Sequence, residues 1–253
     1  MRGGVHPLSV TLRLDWCSHA AAKYAVEHWH YSGCLPASKS QWIGAWENDR
    51  FIGAVIFGSG AGNIAKGKMY GLPLARMVEL TRVALNNHES PVSKIVSVAL
   101  RMLMRKNPSL RLVVSLADPV HGHVGSIYQA GGWIYVGTTS PSKTYIGPDG
   151  RENHERVVSP SGLKKQYGRY VPCLRPSEAT SIRINPGKHK YLMPLDAEMH
   201  KIIEPLRKPY PKRVGSAASG TTTPIVGGGA TPTPTLHYAH VDEASVRATR
   251  EAA

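Results

Sequence analysis

The chain has 253 residues, with 31 Lys and Arg against 17 Asp and Glu, a formal net charge of +14. Such a length allows one good core, or one core plus a tail. No apolar run reaches the length of a membrane-spanning helix, and MRGGVHPLS has no signal-peptide core, so a cytoplasmic location is expected.

The basic surplus points to DNA or RNA as a partner. The plainer alternative is a basic protein that meets no polyanion. Cys17, Cys34 and Cys173 are scattered, with neither a CxxC pair nor zinc-ligand spacing, which suits free thiols in a reducing compartment.

VTLRLDWC (10–17) alternates and reads as a strand. Ser18 can cap the helix AAAKYAVEHWHYS that follows. QWIGAWEN and RFIGAVIFGSG are β-rich and meet at Asn48-Asp49, which predicts a hairpin. AGNIAKGKMYGLPL (61–74) lacks periodicity and reads as a loop. ARMVELTRVAL (75–85) is a strand; Ser90 or Asn87 can then cap the amphipathic helix VSKIVSVALRMLMRKN, with Pro91 in its first turn. LRLVVSLAD is a near-continuous apolar run, typical of a sheet centre. A short helix HVGSIYQAGG, a strand WIYVGTT and a hairpin around Gly147–Gly150 follow.

After Val158 the chain turns basic, with Tyr167 and Tyr170 among the cations. KHKYLMPLDAEMHKIIEPLRK can add a last strand and a helical turn. Beyond Arg213 the sequence is low-complexity, and residues 211–253 are expected to form a disordered tail. The element order predicts one α/β domain over residues 1–210, a mixed central sheet flanked by helices, with a basic extension from about residue 143.

Several polar residues stand out against this pattern. His30 and Tyr31 sit where the first helix should end; they are either a crowded helix terminus or part of a site. A histidine there could act as a base or ligand, since imidazole titrates near neutrality. Ser32 and Lys39 lie in the next loop and could fold over a substrate, although Ser32 also suits a cap or turn. Alternation along ELTRVAL sends Glu79 and Arg82 to opposite faces; Glu79 is the candidate for the site and Arg82 for a phosphate or structural contact. Asp118 ends an apolar strand, where α/β sheets face their ligands, but it could equally cap the next turn. His30 and Asp118 with one more donor would suit a ferrous site, and HGH (121–123) adds candidates. Lys143, Arg151, Arg156, Lys164, Lys165 and Arg169 are the expected phosphate contacts to double-stranded DNA.

The strand–loop–helix centre and the phrase YQAGGW resemble the GNAT-type acyltransferase fold. A closer similarity is to the Mom family of phage DNA-modification proteins. It is carried by HYSGCLPASK, FIGAVIFGSGA, ELTRVAL, PVSKIVSVALRML, LRLVVSLADPVHGHVGSIYQAGGWIYVG and SGLKKQYG, in order, across most of residues 10–170. The resemblance implies an acyltransferase-like enzyme that converts adenine in DNA to its N6-carbamoylmethyl derivative and so protects phage DNA from restriction. It implies His30, Tyr31, Asp118 and Tyr128 as the functional core, with Tyr128 placed to protonate a leaving group. Rival classes are a coenzyme A-dependent N-acetyltransferase of another substrate and a non-enzymatic DNA-binding protein.

Acyltransferases of this fold hold coenzyme A by a glycine-rich turn at a helix N-terminus. Here that connection is LNNHESPVSK, which has no glycine, an acidic Glu89 and a proline that removes an amide. A carbamoylmethyl group also contains a nitrogen that acetyl lacks, whereas a glycyl group has the same atoms. The expected donor is therefore glycyl, carried by glycyl-tRNA, with acetyl-coenzyme A as the alternative. tRNA and a second copy of the chain are further expected partners.

Overall fold

The computed structural model describes residues 10–59, 70–166 and 168–212. The expectations for most of the 61–74 loop, for Tyr167 and for the tail from Arg213 onward lie outside these residues.

Seven strands build the main sheet: β1 (Leu12–Trp16), β2 (Ser40–Glu47), β3 (Arg50–Gly58), β4 (Met77–Leu85), β5 (Leu112–Ala117), β6 (Ile134–Thr138) and, much later in the chain, β12 (His189–Pro194). Their order is β1-β2-β3-β4-β5-β12-β6. Among the described residues, only the β4–β5 neighbours run parallel. The turn joining β2 to β3 holds Asn48 and Asp49 at φ 48° and 62°, the left-handed pair of a two-residue hairpin.

The connections carry helices α1 (His19–Trp29), α2 (Val92–Lys106), α3 (Ser126–Ala130) and α4 (Ala197–Ile203). Ser18 Oγ accepts the Ala21 amide and starts α1 as expected. Ala22, Ala25 and Val26 bring α1 close to Ala54, Ile56 and Ala84 on one face of the sheet. Ile95, Val96, Ala99, Leu100 and Leu103 bury α2 on the other. Fully burying each large side chain among them contributes about 1.5–3 kcal/mol.

The cap expected from Ser90 or Asn87 is replaced. Buried Glu47, at the end of β2, accepts the backbone amides of Glu89 (2.8 Å) and Ser90 (2.7 Å) just ahead of α2. A carboxylate outcompetes a hydroxyl here because it meets both donors at once.

Between β6 and β12 the chain makes smaller sheets. Strands β7 (Ser142–Ile146) and β8 (Glu152–His154) form the expected hairpin, and β11 (Ser181–Asn185) pairs with β7. The basic segment itself folds as a hairpin of β9 (Leu163–Gln166) and β10 (Arg169–Pro172).

Two departures from regular pairing shape the centre of the main sheet. Strands β4 and β5 pair only from Met77↔Leu112 to Leu80↔Ser115, and beyond that step they part. On its other side β4 carries a bulge: Phe57 faces Leu80 and Ile56 faces Arg82, so Thr81 is the extra residue. Val78 and Leu80 pack towards α2, as do Val83 and Leu85 beyond the bulge. The odd residue therefore reverses the alternation, and Glu79 and Arg82 share one face, where simple alternation predicts opposite faces. Among the described residues no helix is long and apolar enough to cross a membrane.

Candidate active site

The site lies where β4 and β5 diverge. β5 ends at Ala117, and Asp118 turns the chain into the short helical turn Pro119–His121. One carboxylate oxygen caps that turn by accepting the Val120 amide at 3.1 Å. The other is 2.7 Å from the Lys188 ammonium. Burial pushes the Asp118 carboxyl up, but Lys188, the Val120 amide and His121 outweigh it and hold it below the usual carboxylate range.

Lys188 is delivered by a close backbone contact. Its amide donates to Thr139 Oγ1 (3.0 Å), and its carbonyl accepts the Thr139 amide (2.9 Å). A Cβ on Gly187 would come within 1.8 Å of the Thr139 carbonyl oxygen, so only glycine fits there.

His30 closes α1, and its Nδ1 faces Ser32, 2.8 Å from Oγ and 3.1 Å from the amide nitrogen. A backbone amide can only donate, so Nδ1 accepts and the neutral ring carries its proton on Nε2. Burial, with the charges of Arg82, His123 and His121, lowers the His30 pKa to about 4. At neutral pH His30 is thus an uncharged donor, and the base expected at this position is not what the geometry offers. Tyr31 is 50 % exposed. Its ring contacts those of His30 at 4.3 Å and His121 at 4.1 Å between centroids.

Glu79 and Arg82 line the split from the β4 side. Among the described residues, Glu79 Oε2 and Arg82 Nε are buried without a hydrogen-bond partner. Burial raises the Glu79 pKa, and the nearby charges of Arg82, Lys188, Arg156 and Lys190 only partly offset it. A buried acceptor and a buried donor left open beside a crevice are the groups a polar ligand would satisfy.

Tyr128, on α3, lies 2.7 Å from Ser115 Oγ, which is 2.9 Å from the Leu80 carbonyl. The carbonyl can only accept, so Ser115 donates to it and Tyr128 donates to Ser115. Burial raises the Tyr128 pKa to about 12, which keeps the phenol protonated.

Tyr31 lies near enough to both Asp118 and Tyr128 for charge on one to affect the other. The structure thus gathers His30, Tyr31, Ser32, Glu79, Arg82, Asp118 and Tyr128 around the split. Lys39 is exposed at the head of β2, and no hydrogen bond or ion pair ties its side chain to this group among the described residues. The pairing of His30 and Asp118 as metal ligands is not supported: among the described residues no three His, Cys, Asp or Glu side chains could hold an ion, and Asp118 holds Lys188 instead.

The expected phosphate contacts divide. Lys143, Arg151, Lys165 and Arg169 are exposed, and Lys164 is half-buried. Lys164 opposes Val171 and Lys165 opposes Tyr170, so these two lysines point to opposite faces of their hairpin. Arg156 lies close enough to Glu79 to influence it, which places it beside the site.

Lys188 and Ser115 escaped the sequence reading. Ser115 left a trace as the one hydroxyl inside the apolar run LVVSLA. Lys188 left none, because its partner is 70 positions away (188 − 118).

A mixed sheet with one parallel pair that splits, and a polar cluster in the split, give an α/β protein of GNAT acyltransferase-like fold. The chain belongs to the Mom protein family, whose model matches residues 11–212. It is 25 % identical over 211 residues to methylcarbamoylase mom of Escherichia phage Mu, covering 81 % of this chain and 85 % of that protein. Among solved structures, it is similar to a candidate acetyltransferase of Acinetobacter baylyi, with a TM-score of 0.42, 14 % identity, and coverage of 77 % of this chain and 98 % of that one. A Bacillus subtilis acetyltransferase in complex with CoA gives a TM-score of 0.38 and 11 % identity, over 74 % of this chain and 100 % of that one.

Proposed function

We propose that this protein modifies DNA by building a carbamoylmethyl group at N6 of adenine, in the cytoplasm of a phage-infected bacterium, where the change shields the DNA from restriction. Membership of the Mom family and the similarity to methylcarbamoylase mom of phage Mu support the class of chemistry. The observation that carries the reading is the buried, unpartnered pair of Glu79 Oε2 and Arg82 Nε beside Tyr31 and the Asp118–Lys188 ion pair.

The donor in this reading is a glycyl ester of tRNA. Its ammonium suits the open oxygen of Glu79, whereas an acetyl group has no N–H to offer. Coenzyme A is disfavoured because Glu47 already occupies the two amides ahead of α2. Adenine N6 attacks the ester carbonyl; an N–C bond forms, the C–O bond breaks, and the ribose hydroxyl leaves with the proton that N6 releases. The glycyl amine then attacks C6, and the bond from C6 to the former N6 breaks. The former N6 becomes the carboxamide nitrogen. The second step is an isomerisation and needs no oxidant or reductant.

Glu79, with its raised pKa, is the base that accepts the ammonium proton. The Tyr31 hydroxyl and His30 Nε2–H are the donors to the carbonyl oxygen. Tyr128 donates to Ser115 and so ties α3 to β5, and the departing oxygen takes the proton that N6 releases. Asp118 and Lys188 fix the loop that carries His121.

The test is mass spectrometry of nucleosides from cells that make the protein and are fed 15N-glycine. The expected product is N6-carbamoylmethyladenine with the label bound to C6. N6-acetyladenine, or unmodified DNA, would overturn the proposal.

A further inference from the structure

Base chemistry on duplex DNA requires that the base leave the stack, which costs a few kcal/mol and needs a surface to receive it. Loop 118–124 supplies an unusual surface. The Tyr31 ring contacts both the His30 ring and the His121 ring, at 4.3 and 4.1 Å between centroids, and no ring contact joins the two histidines among the described residues. His123 adds a further ring 5.4 Å from Tyr31. The rings thus form a short column that begins at the half-buried end of α1 and finishes at His121, which is exposed.

The loop that carries His121 is built to hold it still. Asp118 caps it through the Val120 amide, and the amides of His121 and His123 both donate to the Asp118 carbonyl, at 3.2 and 3.1 Å. The Tyr191 hydroxyl donates to the Val124 carbonyl. A Cβ on Gly125 would lie 2.3 Å from the Tyr191 ring, so the loop exit is packed to the limit. Exposed rings on a well-tied loop lose little entropy when another ring stacks on them. Val120 is 47 % exposed beside the column and can enter the gap that an extruded base leaves.

We propose that His121 is the stacking surface for an adenine rotated out of the duplex, so that the base extends the column His30–Tyr31–His121 and brings its N6 to the strand split. This rests on the reading of the protein as an adenine-modifying enzyme. His121 acts here as a ring and not as a metal ligand or a base.

The experiment compares wild type with H121A and H121F on two duplexes, one with the target adenine paired to thymine and one with it mispaired to cytosine. Wild type should modify the mispaired adenine faster, because less pairing must be broken. H121A should lose between about fivefold and a hundredfold in rate, the value of one stacked base, with duplex affinity kept. H121F keeps a ring without nitrogens and should recover most of the loss. In parallel, 2-aminopurine at the target position should report an extruded base with wild type and H121F, and a stacked base with H121A. The proposal is overturned if H121A works at the wild-type rate, or if H121F is as impaired as H121A. Absence of any modified adenine with wild type would refute the function, while the fluorescence arm would still decide whether His121 receives the base.

Discussion

Lys188→Met tests whether the Asp118–Lys188 pair holds the strand end together. At 2.7 Å the two charges attract by about 1.5 kcal/mol at the dielectric constant of water and about 6 kcal/mol at an effective constant of 20. The Asp118 side chain is 10 % exposed but that of Lys188 is 44 % exposed, so water screens the pair. Its net coupling should therefore lie near the lower figure, about 1–2 kcal/mol. The assay is a double-mutant cycle of K188M, D118N and both together, followed by urea unfolding at neutral pH. Folding lowers the Asp118 pKa, so its stabilisation is present above the unfolded value of about 4 and disappears as pH falls through the folded value. The coupling should thus be full at neutral pH and absent once the pH has fallen below the folded value. A coupling under about 0.3 kcal/mol at neutral pH, or one that survives in acid, would refute the reasoning. Each single variant should also lose DNA modification, since each releases the loop above the site.

Burial raises the Glu79 pKa, so the folded state prefers its neutral form, and ionised Glu79 costs stability as pH rises through that folded value. Glu79→Gln should therefore stabilise the protein at neutral and higher pH while abolishing modification, as thermal melts and nucleoside analysis would show; a lower melting temperature would contradict the sign. Glu47→Gln leaves one of the two amides ahead of α2 facing an NH2 group. It should cost about 2–4 kcal/mol in urea unfolding, the loss of a charge-assisted hydrogen bond plus an unsatisfied donor, and an unchanged midpoint would mean that Glu47 is not the cap.

The elements themselves were legible in the sequence because local chemistry sets them. The Asn48-Asp49 turn, the Ser18 cap, the 3.6-residue spacing of α2 and the apolar run of β5 each signal their structure within a few residues. His30, Tyr31, Asp118 and Tyr128 could be named as a set only through the family resemblance, but each sits where the element reading put it: a helix end, a strand end and a short helix. The sequence reading has no strand at β11 although Ile182 and Ile184 alternate with polar residues there, and both isoleucines stay exposed, so no core contact marks the strand. Tertiary structure alone decided the rest. A bulge at Thr81 is a mismatch between two strands, invisible along either, and it is what brings Glu79 and Arg82 to one face. The Glu47 cap joins residues about forty positions apart, and Lys188 meets Asp118 only because β12 inserts beside β5. Proton placement on His30 depends on which atoms surround Nδ1 and on how deeply the ring is buried. Local sequence specifies backbone conformation, whereas the charge state and role of a side chain depend on neighbours that only the folded chain assembles.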